Sequence, residues 1–295
     1  TSSTADAYSE PLSGALGGGI LDDHYPERNA TEIPRNTKIF VTFKEAIDPE
    51  SMIDGYDLDP RSTDVNVDSI LIYRTEVGES DALEPTEVAV TFTDDFEIWV
   101  FDPVDYLGSS EDDTNYTVVL TTNIETADGD AAFSGTYSGG YEWTFEVSTE
   151  IDLTPPVVTF NIPQEGVEEP KNVSIEITFS EAMDPVAATG TYDDSIGEYF
   201  TNIEVVDSSG SNVEGVFEIS NGYKTVGFTT FDQCGEDPCG DPIYCLPGEE
   251  DLTVTAKSAS IDADEIPQSL FALADGLVDA AANVLDGDDD YDSEV

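Results

Sequence analysis

Carboxylates are the residues of this chain best suited to chemistry, with 65 aspartates and glutamates among 295 residues. Near the end of the sequence they stand at every second position, at Asp286, Asp288, Asp290 and Asp292. Oxygen ligands in such a run suit Ca²⁺, a hard cation that binds about six to eight of them. The run lacks the later glycine and the terminal glutamate of an EF-hand loop, so a solvated acidic loop is an equally good interpretation.

A second carboxylate set is expected where two domains meet. Asp152 lies in a short segment with two prolines, and Glu45 and Asp48 lie in a turn that follows a strand-like run. Convergence of these three side chains on a bound Ca²⁺ would stiffen the junction between the domains. The sequence therefore predicts Ca²⁺ as a cofactor, at either of these places.

All three cysteines lie within residues 232–248, at Cys234, Cys239 and Cys245. Cysteines this close together in a surface protein favour a disulfide that pins a loop, with Cys234–Cys245 at its neck and Cys239 as the alternative partner. A zinc site needs a fourth ligand, and the only histidine, His24, is distant in sequence. The third cysteine is then either free or paired with another chain.

Catalytic chemistry has little support. A nucleophile activated by histidine would depend on His24, which lies in a strand-like segment. The sequence contains no P-loop and no dinucleotide-binding glycine pattern. Carboxylate pairs of the kind that hydrolyse glycosides are uninformative in so acidic a chain. We expect a protein without enzymatic activity.

The formal net charge of −56 limits the possible partners and locations. A nucleic acid or an anionic membrane surface would be repelled by this chain. No apolar run approaches the roughly 20 residues of a membrane-spanning helix. Self-repulsion of this size favours surroundings rich in screening cations, so we expect an extracellular, cell-surface location.

The elements that must position these side chains occur twice. Residues 41–49, VTFKEAIDP, return as ITFSEAMDP at 177–185, and YTVVL at 116–120 returns as LTVTA at 252–256. Matches at one constant offset indicate a duplicated domain. We predict an N-terminal extension at 1–19, a first domain at 20–150 and a second at 151–295 that carries the cysteine insertion, with a prolyl hinge between the domains.

Each copy is a series of short runs in which apolar and polar residues alternate, as half-buried antiparallel strands require. The predicted strands are 38–43, 67–73, 87–92, 97–101, 116–120 and 141–147 in the first copy, and 174–179, 202–206, 215–219, 224–231 and 251–256 in the second. A short helix is expected in the early part of 267–285. Many short strands separated by turn residues predict an all-β fold of two tandem antiparallel β-sandwiches.

These elements resemble the bacterial immunoglobulin-like domains of S-layer and other cell-surface proteins. The resemblance rests on residues 170–185, 252–256, 143–147 and 152–156, and on LVDAAANVLDGD at 277–288, where Ala282 replaces the usual glycine. It covers most of residues 20–290. It implies an immunoglobulin-like sandwich for each domain, and modules of this kind act as spacers, adhesive domains or lattice units.

The two ends of the chain suggest how copies assemble. The second copy is expected to match the Asp128-Gly129 turn at Asp286-Gly287 and then to lack a full counterpart of the strand at 141–147. Residues 1–19 form a surplus segment that ends in three glycines. We therefore expect this arm to insert as a strand into the second domain of an identical neighbouring subunit, which links subunits head to tail into a filament. The alternative is an adhesin or a carbohydrate-binding module of a larger surface protein, with glycans as partners. Its candidate aromatics are Tyr192, Tyr199, Phe200 and Tyr223.

Overall fold

The computed structural model describes residues 19–56, 58, 62–134, 138–164, 166–189, 191–193, 198–200, 202–259 and 276–287. The chain divides into two compact units, Thr1–Ile151 and Asp152–Val295. Within the described ranges, no helix has the length and apolar character needed to cross a membrane. Almost all of the regular structure is antiparallel β, as the alternating sequence pattern predicts.

Seven strands lie among the described residues of the first unit. They are β1 (Leu21–Tyr25), β2 (Ile39–Phe43), β3 (Ile70–Arg74), β4 (Val88–Phe92), β5 (Ile98–Pro103), β6 (Thr114–Leu120) and β7 (Tyr141–Val147), with a short helix α1 (Pro49–Met52) and two 3₁₀ turns, Glu79–Asp81 and Pro85–Glu87. The strand orders are β1-β2-β5-β4 in one sheet and β3-β6-β7 in the other. Every ladder within these sheets is antiparallel.

The core of the first unit contains side chains of both sheets. Along β7, Tyr141, Trp143 and Phe145 are buried, whereas Glu142 is exposed. This period of two is what a strand with one wet face requires. Trp99 of β5 is also fully buried in this core, so both tryptophans of the chain belong to the first unit.

A segment between β1 and β2 adds parallel hydrogen bonds to the outer edge of β7. The N–H groups of Asn29 and Ile33 donate to the carbonyl oxygens of Thr144 and Glu146, at 2.7 and 3.2 Å. The N–H groups of Glu146 and Ser148 donate back to Ala30 and Ile33, both at 2.8 Å. The edge strand of the three-stranded sheet is thus covered rather than open.

Ten strands lie in the described part of the second unit. They are β8 (Val158–Ile162), β9 (Ile175–Phe179), β10 (Thr191–Asp193), β11 (Glu198–Phe200), β12 (Ile203–Val206), β13 (Gly215–Ser220), β14 (Thr225–Thr230), β15 (Gln233–Glu236), β16 (Pro242–Tyr244) and β17 (Thr253–Ala256), with a short helix α2 (Pro185–Thr189). Its four-stranded sheet has the order β8-β9-β14-β13, and β12 pairs with β17. The pairs β10–β11 and β15–β16 are separate hairpins.

The repeated sequence corresponds to a repeated structure. The sheet order β1-β2-β5-β4 recurs as β8-β9-β14-β13, and α1 recurs as α2. In the repeated phrase the aspartate caps the short helix: Asp48 accepts a hydrogen bond from the N–H of Glu50, and Asp184 accepts from Val186 and Ala187. An Asp at this position satisfies helix N–H groups that would otherwise lack a partner.

The predicted strands agree with the observed ones to within three residues at each end. The predicted cysteine insertion is the hairpin β15–β16. The pair β10–β11 was not predicted. The helix expected in the early part of 267–285 and the N-terminal extension lie mostly outside the described residues.

One equivalence expected from the sequence is wrong. The second copy's counterpart of the Asp128-Gly129 turn is Ala281-Ala282 rather than Asp286-Gly287. The N–H of Thr126 donates to the carbonyl of Asp130 at 2.8 Å, and that of Asp279 donates to Asn283 at 3.0 Å, so the loops at 126–130 and 279–283 match. Gly129 has φ 82° and Ala282 has φ 66°, so the usual glycine position is occupied here by alanine in the left-handed region.

The second unit also differs from the first at the edge of β17 that faces away from β12, which we call the open side of β17. Where the structure describes the chain, β17 pairs only with β12, whereas the equivalent β6 lies between β3 and β7. Val254 is 37% exposed, against 0% for its counterpart Val118, and Val158 is 39% exposed, against 3% for Leu21. The two described sheets of the second unit therefore leave part of their inner surface open.

Candidate metal centre

Three carboxylates converge in the second unit. One carboxylate oxygen from each of Asp152, Glu181 and Asp279 lies within 4.8 Å of the other two. Asp152 precedes β8, Glu181 follows the end of β9, and Asp279 begins the repeated loop at 279–283. These positions are distant in sequence, so the sandwich fold itself brings the three side chains together.

Asp279 is held rigidly by its own loop. Its Oδ1 accepts hydrogen bonds from the N–H groups of Ala281 and Asn283, both at 2.8 Å, and its Oδ2 accepts one from Asn283 Nδ2 at 2.9 Å. An isolated bridge between Asp279 and Met183 places this loop beside the turn that carries Glu181. The side chain of Asp279 is almost fully buried, so its orientation is set by these contacts.

The pKa of Glu181 is raised to about 8, first by burial and then by the negative charges of Asp279 and Asp152. A side-chain hydrogen bond with Asp152 acts in the same direction, and only the charge of Lys224 opposes it. Burial also raises the pKa of Asp279 to about 6, against the hydrogen bonds from Asn283 and Ala281 that lower it. A proton or a cation therefore relieves the repulsion within this cluster.

This donor set suits a hard divalent cation. Carboxylate oxygens are the preferred ligands of Ca²⁺, at about 2.3–2.6 Å, which allows ligand oxygens on opposite sides of the ion to lie up to about 5 Å apart. The observed grouping fits that span. Water would have to supply the remaining ligands.

The expected Ca²⁺ site of Asp152, Glu45 and Asp48 stays a prediction, because these residues belong to different units. Asp152 belongs to the cluster, whereas Glu45 and Asp48 belong to the first unit, and Asp48 caps α1. Glu181 was not predicted, although it is the repeat counterpart of Glu45 and the constant offset could have identified it. Asp279 was missed because its counterpart in the first copy is Thr126, which carries no charge.

The acidic run near the end of the sequence stays a prediction. Asp286 is buried, and its N–H donates to the carbonyl of Pro156 at 2.9 Å. Asp288, Asp290 and Asp292 lie outside the described residues.

A disulfide in the cysteine insertion is confirmed. The structure joins Cys234 to Cys245, with 5.7 Å between their Cα atoms, and leaves Cys239 exposed as a free thiol. Cys239 lies in the turn between β15 and β16, where Asp237 Oδ1 accepts from its N–H at 2.8 Å and from that of Asp241 at 2.9 Å.

The remaining candidates from the sequence are the histidine considered for catalysis and the four aromatic residues proposed for glycan contact. His24 is buried, its Nδ1 lies 2.9 Å from the carbonyl oxygen of Pro26, and its Nε2 lies 3.0 Å from the hydroxyl of Tyr141. Tyr223, a candidate for glycan contact, is buried. The side chains of Tyr192, Tyr199 and Phe200 are outside the described part of the structure, so a glycan-binding face stays a prediction.

A comparison with models of protein families finds a match within the first unit. A family model described as bacterial Ig-like domain matches residues 20–147. None of the curated proteins matches the chain.

Solved structures show only distant likeness. Domains 1–6 of the surface layer protein SbsC align over 81% of this chain and 26% of their own, at 13% identity and a TM-score of 0.28. CopC from Methylosinus trichosporium OB3b aligns over 45% of this chain and 97% of its own, at 12% identity and a TM-score of 0.28. A chimeric titin Z1Z2 aligns over 81% and 87%, at 11% identity and a TM-score of 0.24.

Proposed function

From the match of residues 20–147 to the bacterial Ig-like family model, we propose that the chain is a secreted, non-catalytic structural subunit of a cell-surface filament or lattice. The observation that carries the proposal is the recurrence of one sheet order in both units, β1-β2-β5-β4 and β8-β9-β14-β13. Tandem sandwiches extend a chain by repeating a stable module, which is the requirement for a spacer or lattice unit. The composition supports the location, since a net charge of −56 needs cation-rich surroundings.

The surroundings of the only histidine support a non-catalytic role. Both ring nitrogens of His24 are engaged, one with the Pro26 carbonyl and one with the Tyr141 hydroxyl. Burial lowers its pKa to about 4, which makes it a poor general base near neutral pH. It therefore supports the packing of the first unit rather than proton transfer.

Ca²⁺ is the cofactor that we propose for the second unit, held by Asp152, Glu181 and Asp279. The mutual proximity of these carboxylates and the raised pKa values of Glu181 and Asp279 support this assignment. A bound divalent cation would cross-link the segment before β8, the turn after β9 and the loop at 279–283.

Assembly is proposed to run head to tail between identical subunits, with residues 1–19 of one copy inserted as a strand into the second unit of the next. Strand addition to a sheet edge supplies main-chain hydrogen bonds, and a heterologous contact of this kind propagates into a filament. The open side of β17 supports this choice of acceptor unit.

The test is electron microscopy and light scattering of the full chain in millimolar Ca²⁺, compared with a variant that lacks residues 1–18. Filaments or sheets are expected for the full chain and separate particles for the variant. A full chain that stays monomeric, and binds an immobilised glycan instead, would refute the structural role in favour of the adhesin alternative.

A further inference from the structure

We propose that the outer edge of β17 is the acceptor site for assembly, and that residues 12–16 of a neighbouring copy occupy it as an added antiparallel strand. This inference rests on the proposed function and adds the site, the segment and the register. Its starting point is that β17 presents an unpaired edge within the described residues, next to an exposed inner surface.

The first unit shows how such an edge is filled. There β7 pairs antiparallel with β6, with Tyr141 opposite Leu120, Trp143 opposite Val118 and Phe145 opposite Tyr116. The counterparts of Leu120, Val118 and Tyr116 in the second unit are Ala256, Val254 and Leu252. Val254 is therefore the centre of the open position, and 37% of it is exposed.

The facing sheet is open at the same place. Its strand β8 exposes Val158 and Asn161, the counterparts of the buried Leu21 and His24. Asn161 Nδ2 donates to the carbonyl of Pro163 at 2.6 Å, as the His24 ring contacts Pro26, so the local backbone is the same in both units. In the first unit, Trp143 covers His24. The described residues of the second unit place no ring there.

The negative charges near β17 favour a strand that carries few acidic residues. The segment before β17 carries Glu249, Glu250 and Asp251, so an acidic strand would be repelled from this edge. Residues 288–295 carry five acids in eight positions, whereas residues 1–18 carry only Asp6 and Glu10. The N-terminal arm of another copy is thus the segment with the least electrostatic cost.

The spacing of the leucines in residues 1–18 determines the register of the added strand against β17. Leu12 and Leu16 are the only leucines of residues 1–18, and side chains four residues apart lie on the same face of a strand. With Gly14 opposite Val254, Leu12 lies opposite Ala256 and Leu16 opposite Leu252. Both leucines then cover the open core, and Pro11 stands just before the strand, where its missing N–H costs no ladder hydrogen bond.

The test is disulfide trapping between two full-length variants, both with Cys239→Ser to remove the free thiol. One carries Gly14→Cys and the other Val254→Cys, and they are mixed and oxidised. A heterodimeric cross-link is expected with Val254→Cys and none with Thr255→Cys, whose side chain points to the other face. Equal trapping at both positions, no trapping, or efficient trapping of Val254→Cys with itself would each overturn the proposal.

Assembly of charged variants checks the result without cysteines. Leu12→Asp and Leu16→Asp are expected to abolish assembly, because each buries a carboxylate, whereas Ser13→Asp on the outer face is expected to leave it intact. Filaments that persist in both leucine variants overturn this inference and leave the proposed function standing. A trapped Gly14–Val254 pair in a protein that forms no filaments or sheets supports the contact and refutes the filament or lattice role.

Discussion

Trp143 stacks on His24 in the core of the first unit, with 4.3 Å between the ring centroids. This packing buries the imidazole, and burial lowers the pKa of His24 to about 4. The hydrogen bonds then fix the tautomer: Nδ1–H donates to the Pro26 carbonyl, and Nε2 accepts from the Tyr141 hydroxyl. A proton on Nε2 would reverse the second bond, so that Nε2–H donates to the Tyr141 oxygen, and it would place a charge in a buried site.

The first prediction is that the first unit loses stability as pH falls from 6.5 towards 4. The unfolded chain takes up a proton on His24 below its ordinary pKa of about 6.5, whereas the folded chain does not, so protonation favours unfolding. At pH 5 this effect amounts to about 2 kcal/mol. Urea unfolding followed by tryptophan fluorescence measures it, because both tryptophans lie in the first unit.

The matched variant is His24→Asn, which copies Asn161 of the second unit. It should be less stable than the parent at pH 7, since it loses the Tyr141 hydrogen bond and the ring contact with Trp143. Between pH 7 and 5 its stability should change less than that of the parent. A parallel decline in both proteins would mean that carboxylates alone cause the acid sensitivity.

The second prediction concerns the proposed Ca²⁺ site. Millimolar Ca²⁺ should raise the unfolding temperature of the second unit more than Na⁺ at matched ionic strength, because a ligand that binds only the folded state stabilises it by mass action. A concentration of about 100 times the Kd would contribute about 2.7 kcal/mol. Calorimetry records the unfolding of both units, and tryptophan fluorescence identifies the transition of the first, so the remaining transition belongs to the second.

Glu181→Gln separates site binding from screening. When a chelator removes Ca²⁺, this variant should be more stable than the parent at pH 7. The pKa of the Glu181 carboxyl group is raised by burial and by two neighbouring acids, so this group favours the unfolded chain, and the variant lacks it. In Ca²⁺ it should show no specific gain. The control is Glu45→Gln, its repeat counterpart in the first unit, which should keep the full Ca²⁺ response. Identical responses of all three proteins would dismiss the site.

The third prediction uses the left-handed alanine of the second unit. Ala282→Gly should stabilise the second unit by about 0.5–1 kcal/mol, because glycine adopts positive φ without the steric cost of a Cβ. Gly129→Ala in the first unit should destabilise by a similar amount, since nothing lies within 4 Å of the added Cβ and only the backbone is strained. Chemical denaturation of each variant gives both values, and opposite signs are required.

The fourth prediction concerns the hairpin β15–β16, which the disulfide closes. Replacing both Cys234 and Cys245 by serine should lower the stability of the second unit by about 2–3 kcal/mol, the entropy expected from opening a loop of this length. Cys239→Ser should have no effect, since that thiol is exposed and unbonded. Equal stability of the double variant and the parent would show that the hairpin unfolds independently of the sandwich.

The fold was accessible from the sequence because strand alternation and repetition are local signals. VTFKEAIDP and ITFSEAMDP predicted the same strand and turn, and the structure shows both, with Asp48 and Asp184 as helix caps. The carboxylate cluster was less accessible, since Asp152, Glu181 and Asp279 meet only through tertiary contacts. A constant offset finds Glu181 from Glu45, but it cannot find Asp279, because its counterpart is Thr126 and the chain between β17 and Asp279 is longer than that between β6 and Thr126.

The parallel hydrogen bonds between the segment at 29–33 and β7 have a mechanical consequence. A stretching force that pulls this segment towards its N-terminal side and β7 towards its C-terminal side loads all four bonds in shear, so they must rupture together rather than one by one. These four bonds are therefore expected to set the resistance of the first unit to a stretching force.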